Sequence, residues 1–345
     1  MSSKKIVFSF LSIAIVVLAF IFAIKPAIST VAKKIHIIAP VPVNSISGAP
    51  GKDGPALVVK IDDTPPAHPQ IGLESADVIY IEQVEGGLTR LAAVFSSTIP
   101  QRIGPVRSAR ISDIDLLAQY GHVAFAYSGA QTKMRPIINA ANFQDLGGQN
   151  QSSAIYTTDP GRTPPVAMVL RADLLMQETV ERSMQIAQSK SMGWTFGSAP
   201  DSGTVIASVK MRWPANSYVA TWSINEKRWL LSTPSGPDMS QTGEQLGADT
   251  LVIQNVSITP SIFHDKVGGI TPFSATVGSG TGYILRDGKY FPALWNRSTL
   301  DSGTQWSSPD GTRINFAPGH IWIALTDTAP TFTLKSEATP SPSTK

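Results

Sequence analysis

The chain opens on an apolar run, Ile6 to Ile24, that contains no charged residue. As a helix rising about 1.5 Å per residue, that run spans roughly 28 Å, enough to cross a bilayer core. Lys4 and Lys5 precede it, which predicts a cytoplasmic N-terminus (residues 1–5) and a retained single-pass anchor over 6–24. Secretion after signal cleavage near Ala27-Ile28-Ser29 is the alternative. Beyond it the pattern breaks into short elements. Residues 25–55, rich in Pro, Gly and Ser towards their end, read as a stalk. Val58-Val59-Lys60-Ile61 has the pattern of a buried strand, and Asp77–Val84 with Leu88–Phe95 predict a hairpin around Gly86-Gly87. Ile111–Tyr120 predicts a helix, with Ser112 as cap, Asp115 completing a capping box and Gly121 ending it. A strand over His122–Tyr127 and a helix over Lys133–Ala141 follow. Met176, Val180, Met184 and Ala187 recur at helical spacing and predict a longer helix over Arg171–Gln188.

The second half changes period. Short strands are predicted at Val205–Trp213, Tyr218–Ile224, Arg228–Ser232, Thr250–Ile258, Gly282–Arg286, Lys289–Trp295 and His320–Leu325, with Asp287-Gly288 as a hairpin turn. Gly278-Ser279-Gly280-Thr281-Gly282 has no following Lys and no helix, so it reads as a tight turn rather than a phosphate loop. The expected fold is α+β. An N-terminal mixed-sheet α/β domain with flanking helices (56–190) is joined by a linker (191–203) to a C-terminal, mostly antiparallel β domain (204–328). Residues 329–345, with repeated Pro, Ser and Thr at their end, read as a disordered tail.

Composition narrows the function classes. At 345 residues and 42% apolar content the chain can bury a sizeable core. A formal charge of +3 gives no bulk attraction to nucleic acid. With no cysteine there is no disulfide, thiolate zinc site or lipid-modified cysteine. His36, His68, His122, His264 and His320 lack metal-ligand spacing, so no metal is expected, and nothing names a cofactor.

Candidate chemistry concentrates between Val59 and Ala130. Asp62 and Asp63 end a buried strand, where carboxylates can bind a cation, take a proton or organise the turn into Thr64-Pro65-Pro66. Glu82 and Glu85 flank the hairpin and Arg90 lies on its return strand. Residues three apart on a strand point to opposite faces, so both glutamates share a site only if the chain turns near Gly86. Gly104-Pro105-Val106-Arg107-Ser108-Ala109-Arg110 is the sharpest signal: two planar guanidinium forks suited to phosphate or carboxylate, with structural pairing to Asp113, Asp115 or the glutamates as the alternative. Ser128 ends a strand without the surroundings of an activated nucleophile. In the second half, Trp295 and Arg297 can extend a groove by stacking on sugar faces, or serve the β core.

These residues carry a resemblance. VKIDD, ADVIYIEQVEGGLTR, GPVRSAR and YSG, then GSGTGYILRDGKYFPALWNRS and INFAPGHIWIAL, occur in an order similar to that of the YerB-type family of bacterial envelope proteins. The similarity runs from about Leu57 to Leu325. It implies a bipartite domain of unknown function at the cell envelope and supplies no established activity. Relatives are commonly lipoproteins, whereas this chain has no cysteine. The family's Pro-His-Asn falls on Pro165-Val166-Ala167 here, so a role of that His in relatives is absent. The expectation is a membrane-anchored extracytoplasmic protein binding an anionic or glycan component, such as a cell-wall glycopolymer or lipid-linked glycan. A phosphotransferase or hydrolase on such polymers, and a scaffold for another envelope protein, are the rival readings.

Overall fold

The computed structural model describes residues 41–335. The anchor expected over 6–24 and the end of the expected tail (336–345) lie outside them. Among the described residues no helix is long and apolar enough to cross a membrane. The fold is mostly β. Its principal strands are β1 (Leu57–Asp62), β2 (Val78–Gln83), β3 (Thr89–Phe95), β4 (Val123–Ala126), β5 (Phe143–Asp145), β6 (Thr204–Trp213), β7 (Asn216–Ser223) and β8 (Arg228–Thr233). They continue as β9 (Thr250–Asn255), β10 (Ile258–His264), β11 (Ile270–Ser274), β12 (Gly278–Arg286), β13 (Lys289–Arg297) and β14 (Ile321–Thr326). Among the described residues the α-helices are short: α1 (Ser112–Ala118), α2 (Arg135–Ala140) and α3 (Ala172–Glu181).

One 16-stranded sheet runs through both halves of the chain, in the order β8-β7-β6-β13-β12-β9-β14-β2-β3-β1-β4-β5 with short strands at its margins. The seam is β14, a strand from the end of the chain that lies parallel to β2 on one side and to β9 on the other. Its sequence, IWIALT, is buried at all six positions, as a strand covered on both faces requires. Two apolar clusters fill the two faces: Leu57, Val59, Ile79, Ile81, Leu91 and Ala93 on one, Val58, Val78, Tyr80, Ala92 and Val94 on the other. From Pro42 to Lys335 the chain forms one compact unit.

Several expectations change. The supposed stalk packs onto the body from Asn44, because Asn44, Ile46 and Ser47 are buried and the Ser47 hydroxyl donates to Asp77 Oδ1 at 2.7 Å. The supposed linker is also packed: Trp194 stacks on Phe316 and its indole N–H donates to the Ile46 carbonyl at 2.8 Å. Within the supposed tail, Thr331–Leu334 pairs with β6. The long helix stops at Glu181. Ser183 is left-handed (φ 52), Val180 is exposed, and Ala187 instead accepts the Ala56 N–H at 2.9 Å. Ser112 is no cap; its hydroxyl accepts from the Ser274 N–H, and Asp113 takes the Arg110 N–H at 2.6 Å. The Gly278–Gly282 run belongs to β12 rather than to a turn. Gly280 is bare because a Cβ there would lie 2.6 Å from the Trp295 indole nitrogen.

Candidate functional site

Strand alternation decides where the charges go. Even-numbered positions of β1, β2 and β3 share one face, and the register sets Asp62 opposite Arg90 and Arg90 opposite Glu82 in a row across three strands. Lys60 lies on the same face one step back. All four are nearly or fully buried. Against this row folds the loop from Gly104 to Arg110. Its Arg107 N–H donates to the Lys60 carbonyl at 2.8 Å, and Ser128, after β4, donates its N–H to the Arg107 carbonyl at 2.9 Å.

Each carboxylate near the arginines is already engaged. Asp62 pairs with Arg107 and accepts the Thr64 N–H at 2.7 Å. Glu85, in the turn after β2, accepts both forks of Arg110, Nε at 2.9 Å and Nη2 at 2.8 Å, and the Thr271 hydroxyl. Glu82 takes Lys60 Nζ at 2.6 Å, and the same ammonium holds Asp113 at 2.7 Å. Burial pushes the Glu82 carboxyl up to about 7, against the pull of Lys60 and with the help of Asp113's charge. Glu82 and Glu85 therefore serve separate cations, as their odd spacing requires.

Arg90 is left over. It is 7% exposed, and its hydrogen bond is Nη1 to the Ser108 carbonyl at 2.9 Å. No carboxylate lies within ion-pair distance of it among the described residues. Burial, then the like charges of Arg110 and Arg107, push its proton affinity down to about 9. An arginine keeps its proton at neutral pH regardless, so the shift expresses a buried cation that the charges of Glu85 and Asp62 only partly offset. Arg90, Arg107, Arg110 and Ser128 line one cleft of about 900 Å³, where four permanent cations (with Lys266) face two carboxylates, Glu85 and Asp265. The Ser108 and Ser128 hydroxyls, 3.3 Å apart, also open on it, and no histidine or carboxylate hydrogen-bonds either one among the described residues. This arrangement can grip an anion; it carries no activated nucleophile.

The remaining candidates lie elsewhere. Asp63 points to the opposite face, where it accepts the Tyr218 hydroxyl at 2.5 Å and the Asn216 amide at 3.1 Å and stands 3.5 Å from His68. Trp295 is buried, with its N–H on the Asn255 carbonyl at 2.9 Å. Arg297 is wholly buried and donates to the carbonyls of Ser302, Leu300 and Asp115. Neither lines the arginine cleft, and Arg297 ties the second half to α1.

Two family models match, one described as "Protein of unknown function (DUF3048) N-terminal domain" over residues 45–185, the other as its C-terminal domain over 209–323. The chain belongs to the DUF3048 family. It is 22% identical over 272 residues to "Putative lipoprotein YerB" of Bacillus subtilis (strain 168), covering 78% of this chain and 80% of that one. The crystal structure of YerB from Bacillus subtilis superposes with a TM-score of 0.71 at 18% identity, over 84% of this chain and 99% of that one, which establishes a shared fold. The YerB-type resemblance read from the motifs thus stands.

Within this DUF3048 fold, other residues complete the cleft. Pro165 and Ala167, from the segment matched to the family's Pro-His-Asn, line it, as do Met134, Pro164, Met168, and Lys266 and Val267 at the tip of the β10–β11 hairpin, which the motifs did not single out. The Arg162–Ala167 segment reaches it because Arg162 donates to the carbonyls of Ala67 and Pro69. Lys60 was the one legible clue among the missed residues, since a lysine inside a continuous apolar strand demands a buried partner.

Proposed function

We propose that this protein is an extracytoplasmic envelope protein, held at the membrane, that binds an anionic group in the arginine cleft. The location is supported by the family membership, by the similarity to a relative named as a lipoprotein, and by the apolar run at residues 6–24. The binding rests on one observation: Arg90 is buried without a carboxylate partner between two further arginines. A buried cation left uncompensated is costly, and an incoming phosphate or carboxylate supplies the missing charge and the acceptors for a bidentate guanidinium. Phosphate is favoured over a single carboxylate because Arg90, Arg107, Arg110 and two hydroxyl-bearing serines line the same cleft. A glycan bearing such a group fits the size of the cleft.

Calorimetric titration of the full chain, in non-ionic detergent, with inorganic pyrophosphate tests this. We expect binding that weakens at least tenfold in Arg90→Gln and further in Arg90→Gln/Arg107→Gln, and that falls with added salt. Absence of binding by the folded wild type, or equal binding by the double variant, would rule the cleft out as an anion site.

A further inference from the structure

The anion site accounts for the cationic wall of the cleft and leaves its other wall unexplained. A phosphate occupies a small part of about 900 Å³, and Met134, Pro164, Pro165, Met168 and Val267 line the cleft too, among polar groups that include Gln131, Gln149 and Thr158. The hairpin of β10 and β11 is a separate two-stranded sheet whose turn carries Lys266 and Val267 to the cleft. Phe263 and Thr271 face inward and are buried, with the Thr271 hydroxyl on Glu85. Ile262, Val267 and Ile270 face outward, at 85%, 91% and 57% exposure. Single exposed apolar residues are ordinary on a protein surface. Val267 also lines the cleft, so these three residues on one short hairpin carry exposed apolar surface outward from the rim of a cleft that holds four cations.

Resting on the anion reading, we infer that the ligand is a lipid phosphate, with its headgroup against Arg90, Arg107 and Arg110 and its hydrocarbon chain along the apolar wall towards the hairpin. The charge of the cleft selects the headgroup, and the apolar lining that reaches Val267 of the exposed hairpin selects the chain. Glu85 couples the two parts, because it holds Arg110 with one edge and Thr271 of β11 with the other. No covalent step is involved.

The test compares methyl, butyl and octyl phosphate on the full chain in non-ionic detergent, with an Ile262→Ser/Val267→Ser/Ile270→Ser variant in the same preparation so that partition into micelles cancels. We expect wild-type affinity to rise about two- to fourfold for each methylene that reaches the apolar wall, and the triple variant to lose most of that rise between its own methyl and octyl phosphate affinities. Methyl phosphate binding with no gain for octyl phosphate, or a full gain retained by the triple variant, would overturn the lipid inference and leave the anion site standing. Failure of both methyl and octyl phosphate to bind the folded wild type would overturn both readings.

Discussion

Arg90 and Arg110 belong to one cluster, yet removing them has opposite meanings for the ligand-free fold. Arg110 satisfies Glu85 through two hydrogen bonds, so Arg110→Gln strands a carboxylate, and we expect a loss of about 2–3 kcal/mol in chemical denaturation. Arg90 satisfies one carbonyl and is crowded by two like charges, so Arg90→Gln is expected to leave stability within about 1 kcal/mol of wild type, or to raise it. A loss for Arg90→Gln as large as for Arg110→Gln would mean that Arg90 is a structural residue. His68 gives a second prediction. Burial alone would lower its pKa, but its hydrogen bonds and charge interactions with Asp238 and Asp63 win and raise it from 6.5 to about 10. Burial raises Asp238 in turn, against the pull of His68; the 2.9 Å contact between His68 Nδ1 and Asp238 Oδ1 favours the charged pair. A raised folded pKa stabilises fully below 6.5, and that stabilisation disappears as pH rises through about 10. The destabilisation of His68→Asn should therefore be largest below pH 6.5 and shrink by pH 10, as followed by urea unfolding; a pH-independent cost would contradict the charged pair. At this scale the sequence marked the arginines and acids and named the glutamates among the possible partners of the arginines, as Glu85 is for Arg110, but not Asp62 as the partner of Arg107. Asp62 and Asp63 are adjacent in sequence and serve opposite faces, which follows from strand alternation only once the strand's end is known.

The turn after β2 shows how an element positions the site. Gly86 and Gly87 are both left-handed, at φ 68 and 73. A Cβ on Gly86 meets open space, whereas one on Gly87 would lie 2.5 Å from Pro214 Cβ. We expect Gly86→Ala to cost about 1 kcal/mol and Gly87→Ala at least about twice that, measured by thermal unfolding; equal costs would mean that β2 and β3 tolerate a shift of the turn. Beneath the arginine loop, Lys60 between Glu82 and Asp113 joins β1, β2 and α1. The Glu82 carboxyl, raised by burial from 4.5 to about 7, contributes stability that is complete below pH about 4.5 and lost as pH rises through about 7. Glu82→Gln mimics the protonated form and should flatten that decline; an unchanged slope would refute the shift. The hairpin, its glycines and the strand ahead of it were legible because period-two apolar patterning and turn residues agree there. The long helix was misread because Met176, Val180 and Met184 fit helical spacing although Val180 faces solvent and Ser183 turns the chain.

Over the whole molecule, β14 joins strands from both halves in one sheet. Local patterning shows each half's strands but cannot show that a strand near residue 321 inserts beside one near residue 78, because that pairing depends on contacts 243 residues apart in the register. For the same reason the polar stretches around Asn44 and Trp194 looked like free connectors: a few buried groups bind them to distant partners. The cleft likewise draws on β3, the Gly104–Arg110 loop, the Arg162–Ala167 segment and the β10–β11 hairpin. The most direct measurement is the position of a heavy phosphate analogue, tungstate, soaked into crystals of the protein. We predict a density peak within hydrogen-bond distance of the Arg90 guanidinium, shared with Arg107 or Arg110. Crystals saturated with tungstate in which Arg90 instead pairs with Glu82 or Asp62, and the cleft holds no peak, would contradict the anion site.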